Sequence, residues 1–370
     1  MSASPQGQES RRPRIVFVVM SAVAPAATLD QLARALAPHT VLVHHDFSQQ
    51  PEFRLAAPNV RFVPEPARTG WGVFGFVEGI FRSIAHALDE IDFDYLQLLS
   101  PSCLPVKPMA AFEAVAGGPQ AAHYGAIDLL ADHDCLMSVG WRAFTPAGTL
   151  RHRVARRLSR DYFGDHWERR DEAGVWLRGG EKQGLLPALT RGAMRALSDP
   201  RIGRHRFDGD LRPYYGSVWF GARRTVVRSL LDSFRSPGLK EFFSRMHLSE
   251  EFLVPTLLMQ AAPEHGPLNH FIQRFDEAHP GILVEEHLDM LRAQPACFAR
   301  KFPAEADARV RQRVLQELCA PEDAARPVVA PRMREPGGGD TSSPAVPAAA
   351  VHQPSAGSLR TVIAARRASG

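Results

Sequence analysis

Cysteine is scarce: Cys103, Cys135, Cys297 and Cys319 are the only four in 370 residues, and none belongs to a Cys-x-x-Cys pair. Such spacing argues against a disulfide framework and a zinc knuckle, and points to free thiols in a reducing compartment. Long apolar runs are lacking too. The run that follows the polar, basic N-terminus, IVFVVM (15–20), is too short for a spanning helix or the core of a secretion signal, so a cytoplasmic chain is expected. Neither sign of charge dominates: 44 basic residues stand against 40 acidic ones, a formal net of +4. That slight surplus suits an anionic ligand and does not argue for nucleic acid. No Gly-x-Gly-x-x-Gly, Walker loop, Gly-x-Ser-x-Gly or kinase signature occurs, which disfavours dinucleotide and ATP chemistry.

What is present describes a globular chain. Hydrophobic residues make up 45% and charged residues 23%, enough for a sizeable core. Residues 1–12 read as a disordered arm. From 321 to 370 the composition shifts to Pro, Ala, Gly and Ser, a tail that cannot bury enough apolar surface to offset its chain entropy. Between them, strand and helix patterns alternate. RIVFVVM, TVLVHHD, VRFV and YLQLLS read as strands, while Leu29, Leu32 and Leu36, and then Phe74, Val77, Phe81, Ile84 and Leu88, repeat at helical spacing. The expected class is α/β, with a mostly parallel central sheet and helices on both faces. Ligands of such sheets bind outside the carboxyl ends of the strands, which directs attention to Asp46 and to the turn after Ser100.

Expected boundaries within the 13–320 domain are 13–120, 121–205 and 206–320. The middle segment is the least regular; its basic stretch RHRVARRLSRDYFGDHWERR (151–170) reads as a solvated helix face, or else as an acceptor-binding or membrane-facing surface, and RGGEKQG as a turn. After it come an aromatic strand YYGSVWF (214–220), a helix through Val226, Val227, Leu230 and Leu231, the helix SEEFLVPTLLM (249–259), a strand HFIQRF (270–275), and a helix leading into CFARKF (297–302).

Chemistry-bearing groups divide into a few sets. Asp92 with Asp94 precedes its strand and so faces the wrong edge of the sheet. Asp208 with Asp210 lies in a Gly-containing loop that turn chemistry explains without a metal. At the strand end where paired carboxylates would hold a cation, the sequence reads Ser100, Pro101, Ser102, Cys103, with no hard-oxygen pair, so no metal site is expected. Fixed cations such as Arg300 and Lys301 could take that role toward an anionic leaving group. His44 and His45 must point to opposite faces of a strand, and His265, His270, His279 and His287 lack ligand spacing. In SEEFLVPTLLM, Ser249 reads as an N-cap and the helix dipole favours acids in a first turn, so capping explains one or both of Glu250 and Glu251. At most one of the two can look into a given site, because successive helical residues diverge by roughly 100°.

These segments, in this order, resemble family 14 of the glycosyltransferases, the core-2/I-branching N-acetylglucosaminyltransferases and peptide O-xylosyltransferases, across about residues 14–305. The resemblance is carried by VLVHHD, RTGWGVFGFVEGI, DYLQLLSPSCLPVKP, YYGSVWF, SEEFLVPTLL and CFARKF. It implies a GT-A-like variant fold, a UDP-sugar donor (UDP-GlcNAc first, UDP-xylose second), no metal cofactor, and inversion at the anomeric carbon. It places the general base on Glu251, the diphosphate lysine on Lys301 beside Arg300, and nucleotide contacts on Asp46, Trp71, Gly72, Ser100 and Ser102. Gly216, Ser217, Trp219 and Glu250 fall where the family lines the sugar and acceptor pocket. A second basic phosphate ligand would be His270 or Arg274. Met20 and Cys103 depart from the family pattern on the donor side, which leaves a catalytically degraded glycan-binding scaffold as the alternative. The acceptor would be a glycan, a lipid-linked sugar or a peptide hydroxyl, with peripheral membrane association open.

Overall fold

Four apolar runs become adjacent parallel strands. β1 (Ile15–Ser21), β2 (Thr40–His45), β3 (Val60–Phe62) and β4 (Tyr95–Leu99) pair in the order β3-β2-β1-β4. In this computed structural model, which describes residues 11–208, 210–273 and 280–320, β1 and β4 are buried along their whole length. Burial on both faces is why they read as unbroken Val, Ile and Leu instead of alternating with polar residues. Successive side chains of β1 divide between the faces. Val16, Val18 and Met20 pack with α2 (Gly75–Glu90), through Val77, Ile80 and Ile84. Phe17 and Val19 pack with α1 (Ala26–Ala35), through Leu29 and Leu32.

The chain then leaves the parallel half through β5 (Leu104–Pro105) and α3 (Met109–Gly117), and returns to the sheet as β6 (Ala122–His123) before β7 (Ile127–Asp128). An excursion follows: α4 (His133–Phe144), α5 (Leu150–Tyr162), the antiparallel pair β8 (Phe163–Arg170) and β9 (Val175–Glu181), then α6 (Leu185–Ser198) and α7 (Pro200–Gly203). β10 (Tyr214–Tyr215) pairs with β7, and β11 (Gly221–Arg223) enters the central sheet between β4 and β6, antiparallel to both. The sheet order is therefore β3-β2-β1-β4-β11-β6. Helices α8 (Arg224–Phe234), α9 (Leu239–Ser244) and α10 (Glu250–Ala261) come next. A second sheet, β12 (His270–Ile272), β13 (Phe298–Arg300) and β5, is flanked in sequence by α11 (Leu288–Ala293) and α12 (Arg309–Glu317).

Several sequence expectations are corrected. The basic stretch 151–170 is not one helix: it ends as helix at Tyr162 and continues as β8. The "RGGE" expected in a turn lies in β9, where Gly179 leaves room for the Glu168 side chain from β8. In YYGSVWF only the two tyrosines are strand. The last two residues of the expected arm are anchored, Arg11 to Asp94 at 3.3 Å and Arg12 to Glu113 at 2.5 Å. Residues 1–10, the 321–370 tail, Arg274 and His279 lie outside the described residues.

Candidate active site

At the carboxyl edge of the parallel strands, Asp46 follows β2, Ser21 ends β1 and Ser100 follows β4. The Ser21 hydroxyl meets His45 Nδ1 at 3.1 Å, and its carbonyl accepts Asp46 N–H at 3.0 Å. Asp46 is buried and both its oxygens are engaged. Oδ1 accepts the Ser48 N–H (3.0 Å) and hydroxyl (2.6 Å), while Oδ2 accepts Gln49 Nε2 (2.8 Å), Thr69 N–H (2.6 Å) and the Thr69 hydroxyl (3.1 Å). Burial works against its charge, but these donors outweigh burial and hold the carboxyl well below the usual range. Asp46 thus positions two loops, and a direct contact to a base or ribose would compete with five donors it already has.

Through Thr69 the edge continues to Trp71 and Gly72. Trp71 is 75% exposed, with its ring edge-on to His247 at 5.4 Å. Gly72 has φ +69°, and a Cβ there would meet His247 Cε1 at 2.8 Å, so both conformation and space require glycine. His247 and Leu248 lead into α10. Ser249 does not cap this helix: its backbone is already helical, its hydroxyl is buried without a partner, and no side chain fills the cap role.

Glu250 and Glu251 have opposite environments. Glu251 stays about a third exposed and accepts Arg142 Nη1 at 2.6 Å through Oε2. Its other carboxylate oxygen has no hydrogen bond among the described residues. Glu250, expected among the substrate-binding groups, is buried instead, with Oε2 unpartnered. Burial, reinforced by the neighbouring Glu251 charge, pushes its carboxyl up to about 7. Arg142 comes from α4 and is itself buried. It donates to the Tyr215 hydroxyl at 3.3 Å and lies 5.3 Å from the Tyr215 and Phe252 ring centres, and its attraction to Glu251 and Tyr215 outweighs the burial of its charge. Sequence reasoning missed Arg142. The available signal was an arginine falling in register with buried Cys135 and Val139, at helical offsets of seven and three, on an otherwise apolar face.

From α10 the path crosses to the segment before β11. Gly216 N–H donates to the Glu251 carbonyl at 3.0 Å, and Ser217 N–H donates to the Ala173 carbonyl at 3.3 Å. A Cβ on Gly216 would run into the Gly125 carbonyl, and Gly125 in turn has no room for a Cβ against Ala173. The β8–β9 turn therefore reaches this edge, a contribution that spacing did not suggest. Because β11 runs antiparallel to β4, the residues preceding it sit at the same edge as Ser100. Leu98 N–H donates to the Phe220 carbonyl at 2.9 Å. Trp219 and Ser217 are buried, and the Arg300 guanidinium lies 4.7 Å from the Trp219 ring centre.

Arg300 ends β13, and Lys301 follows it. Pairing of β13 with β5 carries them beside the Ser100–Cys103 turn, where Phe302 N–H donates to the Ser102 carbonyl at 2.9 Å. That turn is closed on itself: the Ser100 hydroxyl meets the Ser102 hydroxyl at 3.0 Å and Cys103 Sγ at 3.1 Å. Cys103 Sγ also meets His270 Nε2 at 3.3 Å. Among the described residues neither Arg300 nor Lys301 has an acidic partner, and Arg300 Nε is buried without any. Burial lowers the pKa of both, and Arg300 lowers that of Lys301 further. Of the two candidates for a further phosphate ligand, burial holds His270 neutral, which removes its charge from that role.

Contacts and neighbouring residues along the chain link the edge from Asp46 through Thr69 and Trp71 to His247, then from Glu251 through Gly216 and Trp219 to Arg300, while Phe302 ties the Arg300–Lys301 segment to Ser102 and β4 and β1 complete the ring toward Ser21 and Asp46. At most about 11 Å of chain separates Gly216, which bonds the Glu251 main-chain carbonyl, from Trp219, whose ring lies beside the Arg300 guanidinium.

Other sequence candidates do not join this ring. Asp94 accepts Arg14 N–H (2.8 Å) and guanidinium (2.8 Å), and Asp92 pairs with the same arginine. Asp208 Oδ1 accepts the Asp210 and Leu211 N–H groups, a turn of ordinary kind. Met20 fills the core against α2, where a Cβ on Gly79 would touch its Cε at 2.8 Å. His44 and His45 point to opposite faces, the first receiving Ala67 N–H at 2.8 Å and the second stacked on Phe53 at 3.9 Å. Two surface clefts, of about 610 and 760 Å³, lie elsewhere, one along α1 and one between α4, α6 and α7. Comparison with protein-family models and with curated proteins finds no match.

Proposed function

We propose that the chain is an inverting glycosyltransferase of GT-A-like build, moving a sugar from a UDP-sugar to an acceptor hydroxyl. GlcNAc is the first candidate sugar and xylose the second. The observation that carries this reading is the pair of adjacent, partly desolvated cations, Arg300 and Lys301, without acidic partners among the described residues, with Arg300 packed on Trp219 of the segment whose Gly216 bonds the Glu251 main-chain carbonyl. Uncompensated buried charge is costly, and a ligand that brings negative charge relieves it.

In the proposed step the acceptor oxygen attacks the anomeric carbon as Glu251 takes its proton, and the bond from that carbon to the β-phosphate oxygen breaks with its electron pair leaving on UDP. Lys301 and Arg300 neutralise the charge that builds on the diphosphate. Arg142 holds Glu251 through Oε2, leaving the second oxygen for the proton. Fixed side-chain cations take the place of a metal in this scheme, because the Ser100–Cys103 turn offers hydroxyls and a thiol bonded to one another where paired carboxylates would otherwise stand. The test is hydrolysis of a panel of UDP-sugars with EDTA present. One donor is expected to turn over, with Glu251→Gln lowering the rate about a hundredfold or more; an unchanged rate in the variant removes Glu251 from the mechanism.

A further inference from the structure

Positive charge is concentrated on one helix. α5 reads LRHRVARRLSRDY, five arginines against one aspartate. That surplus of four equals the formal net charge of the whole chain, so everything outside α5 is electrically balanced. All five arginines are exposed. Among the described residues only Arg157 and Arg160 have an acidic neighbour, and they share it: Asp161, at 3.5 and 3.7 Å.

Apolar residues stand among these charges. Leu150 is 69% exposed and Val154, one turn later, 49%. α6 packs beside α5, and both rest on α4. Its buried side holds Thr190 and Met194, while its outward side presents Leu185, Leu186, Leu189 and Ala193, and the helix contains no acidic residue. Leu185 is 78% exposed and Leu189 61%, and Ile202 extends the apolar surface from α7, which packs on α6. A helix facing only water carries charged or polar groups there.

We propose that the outward side of α5 and α6 rests on an anionic lipid bilayer, with the leucines at the boundary of headgroups and acyl chains and the arginines on headgroup phosphates. Two features favour a bilayer over a protein partner. The charge is of one sign and distributed along a helix, as a field of lipid phosphates requires. The exposed apolar residues are aliphatic, without the aromatic anchors on which protein interfaces centre. This surface is independent of the proposed sugar transfer.

The experiment is co-sedimentation of the full chain with vesicles of phosphatidylcholine alone and of phosphatidylcholine mixed with phosphatidylglycerol. Binding is expected only to the mixed vesicles and should weaken in high salt. The double variants Arg153→Glu/Arg157→Glu and Leu185→Asp/Leu189→Asp should each lower it about tenfold or more, with thermal unfolding unchanged because these side chains are exposed. No binding to anionic vesicles, or equal binding by the variants, overturns the proposal. So does lipid-independent self-association that Leu185→Asp/Leu189→Asp abolishes, since that assigns the surface to a second copy of this chain.

Discussion

Two adjacent glutamates in one helical turn carry different chemistry because their surroundings differ. Glu251 is partly exposed and pairs with a guanidinium, whereas Glu250 is buried with Oε2 unpartnered. The raised Glu250 carboxyl has a direct consequence for stability. Its ordinary value is 4.5 and its folded value about 7, so between these the folded protein holds a proton that the unfolded chain releases. The stability contributed by the neutral form is complete below about 4.5 and is lost as pH rises through about 7, a decline of at most about 3 kcal/mol. Glu250→Gln should flatten the fall in melting temperature between acid and mildly alkaline pH and leave the variant the more stable at the alkaline end. A variant that loses stability with pH as steeply as the parent protein would show that Glu250 is not the titrating group.

At the scale of elements, the site is assembled from loops that glycines allow to approach closely. Gly216 and Gly125 let three segments meet without side chains between them, and Gly72 lets the loop after β3 lie against the entry to α10. Gly72→Ala should destabilise by about 1–2 kcal/mol from its left-handed backbone alone, with displacement of His247 in addition. Gly70→Ala, where backbone φ is not in that region and the nearest atom is a Val73 methyl at 3.1 Å, should cost less. Equal denaturation midpoints for the two variants would contradict this account of the loop. The strands and helices around the loop were legible in the sequence because continuous burial and helical periodicity both mark the residues directly. Ser249 was misread because N-cap preference is a local statistic, and here Leu248 at φ +53° starts the turn one residue earlier. The basic stretch 151–170 was misread because a run of arginines looks alike on a helix surface and on an exposed hairpin.

For the whole molecule, the order of strands pointed to Asp46 and the turn after Ser100 at one sheet edge, since the carboxyl ends of parallel strands share an edge whatever the loops do, whereas Arg300 and Lys301 come from the second sheet. It could not reveal Arg142, the β8–β9 turn or Tyr215, which reach the edge only through tertiary packing between segments far apart in the chain. The described residues contain no helix long and apolar enough to cross a membrane, and all of them belong to the unit Met1–Arg326. The central claim is that this edge holds a nucleoside diphosphate on side-chain cations. Calorimetric titration of UDP into the full chain, with EDTA present, tests it most directly. Saturable binding is predicted, weakened about tenfold or more in Lys301→Ala; absence of binding, or an affinity that this substitution leaves unaltered, would contradict it.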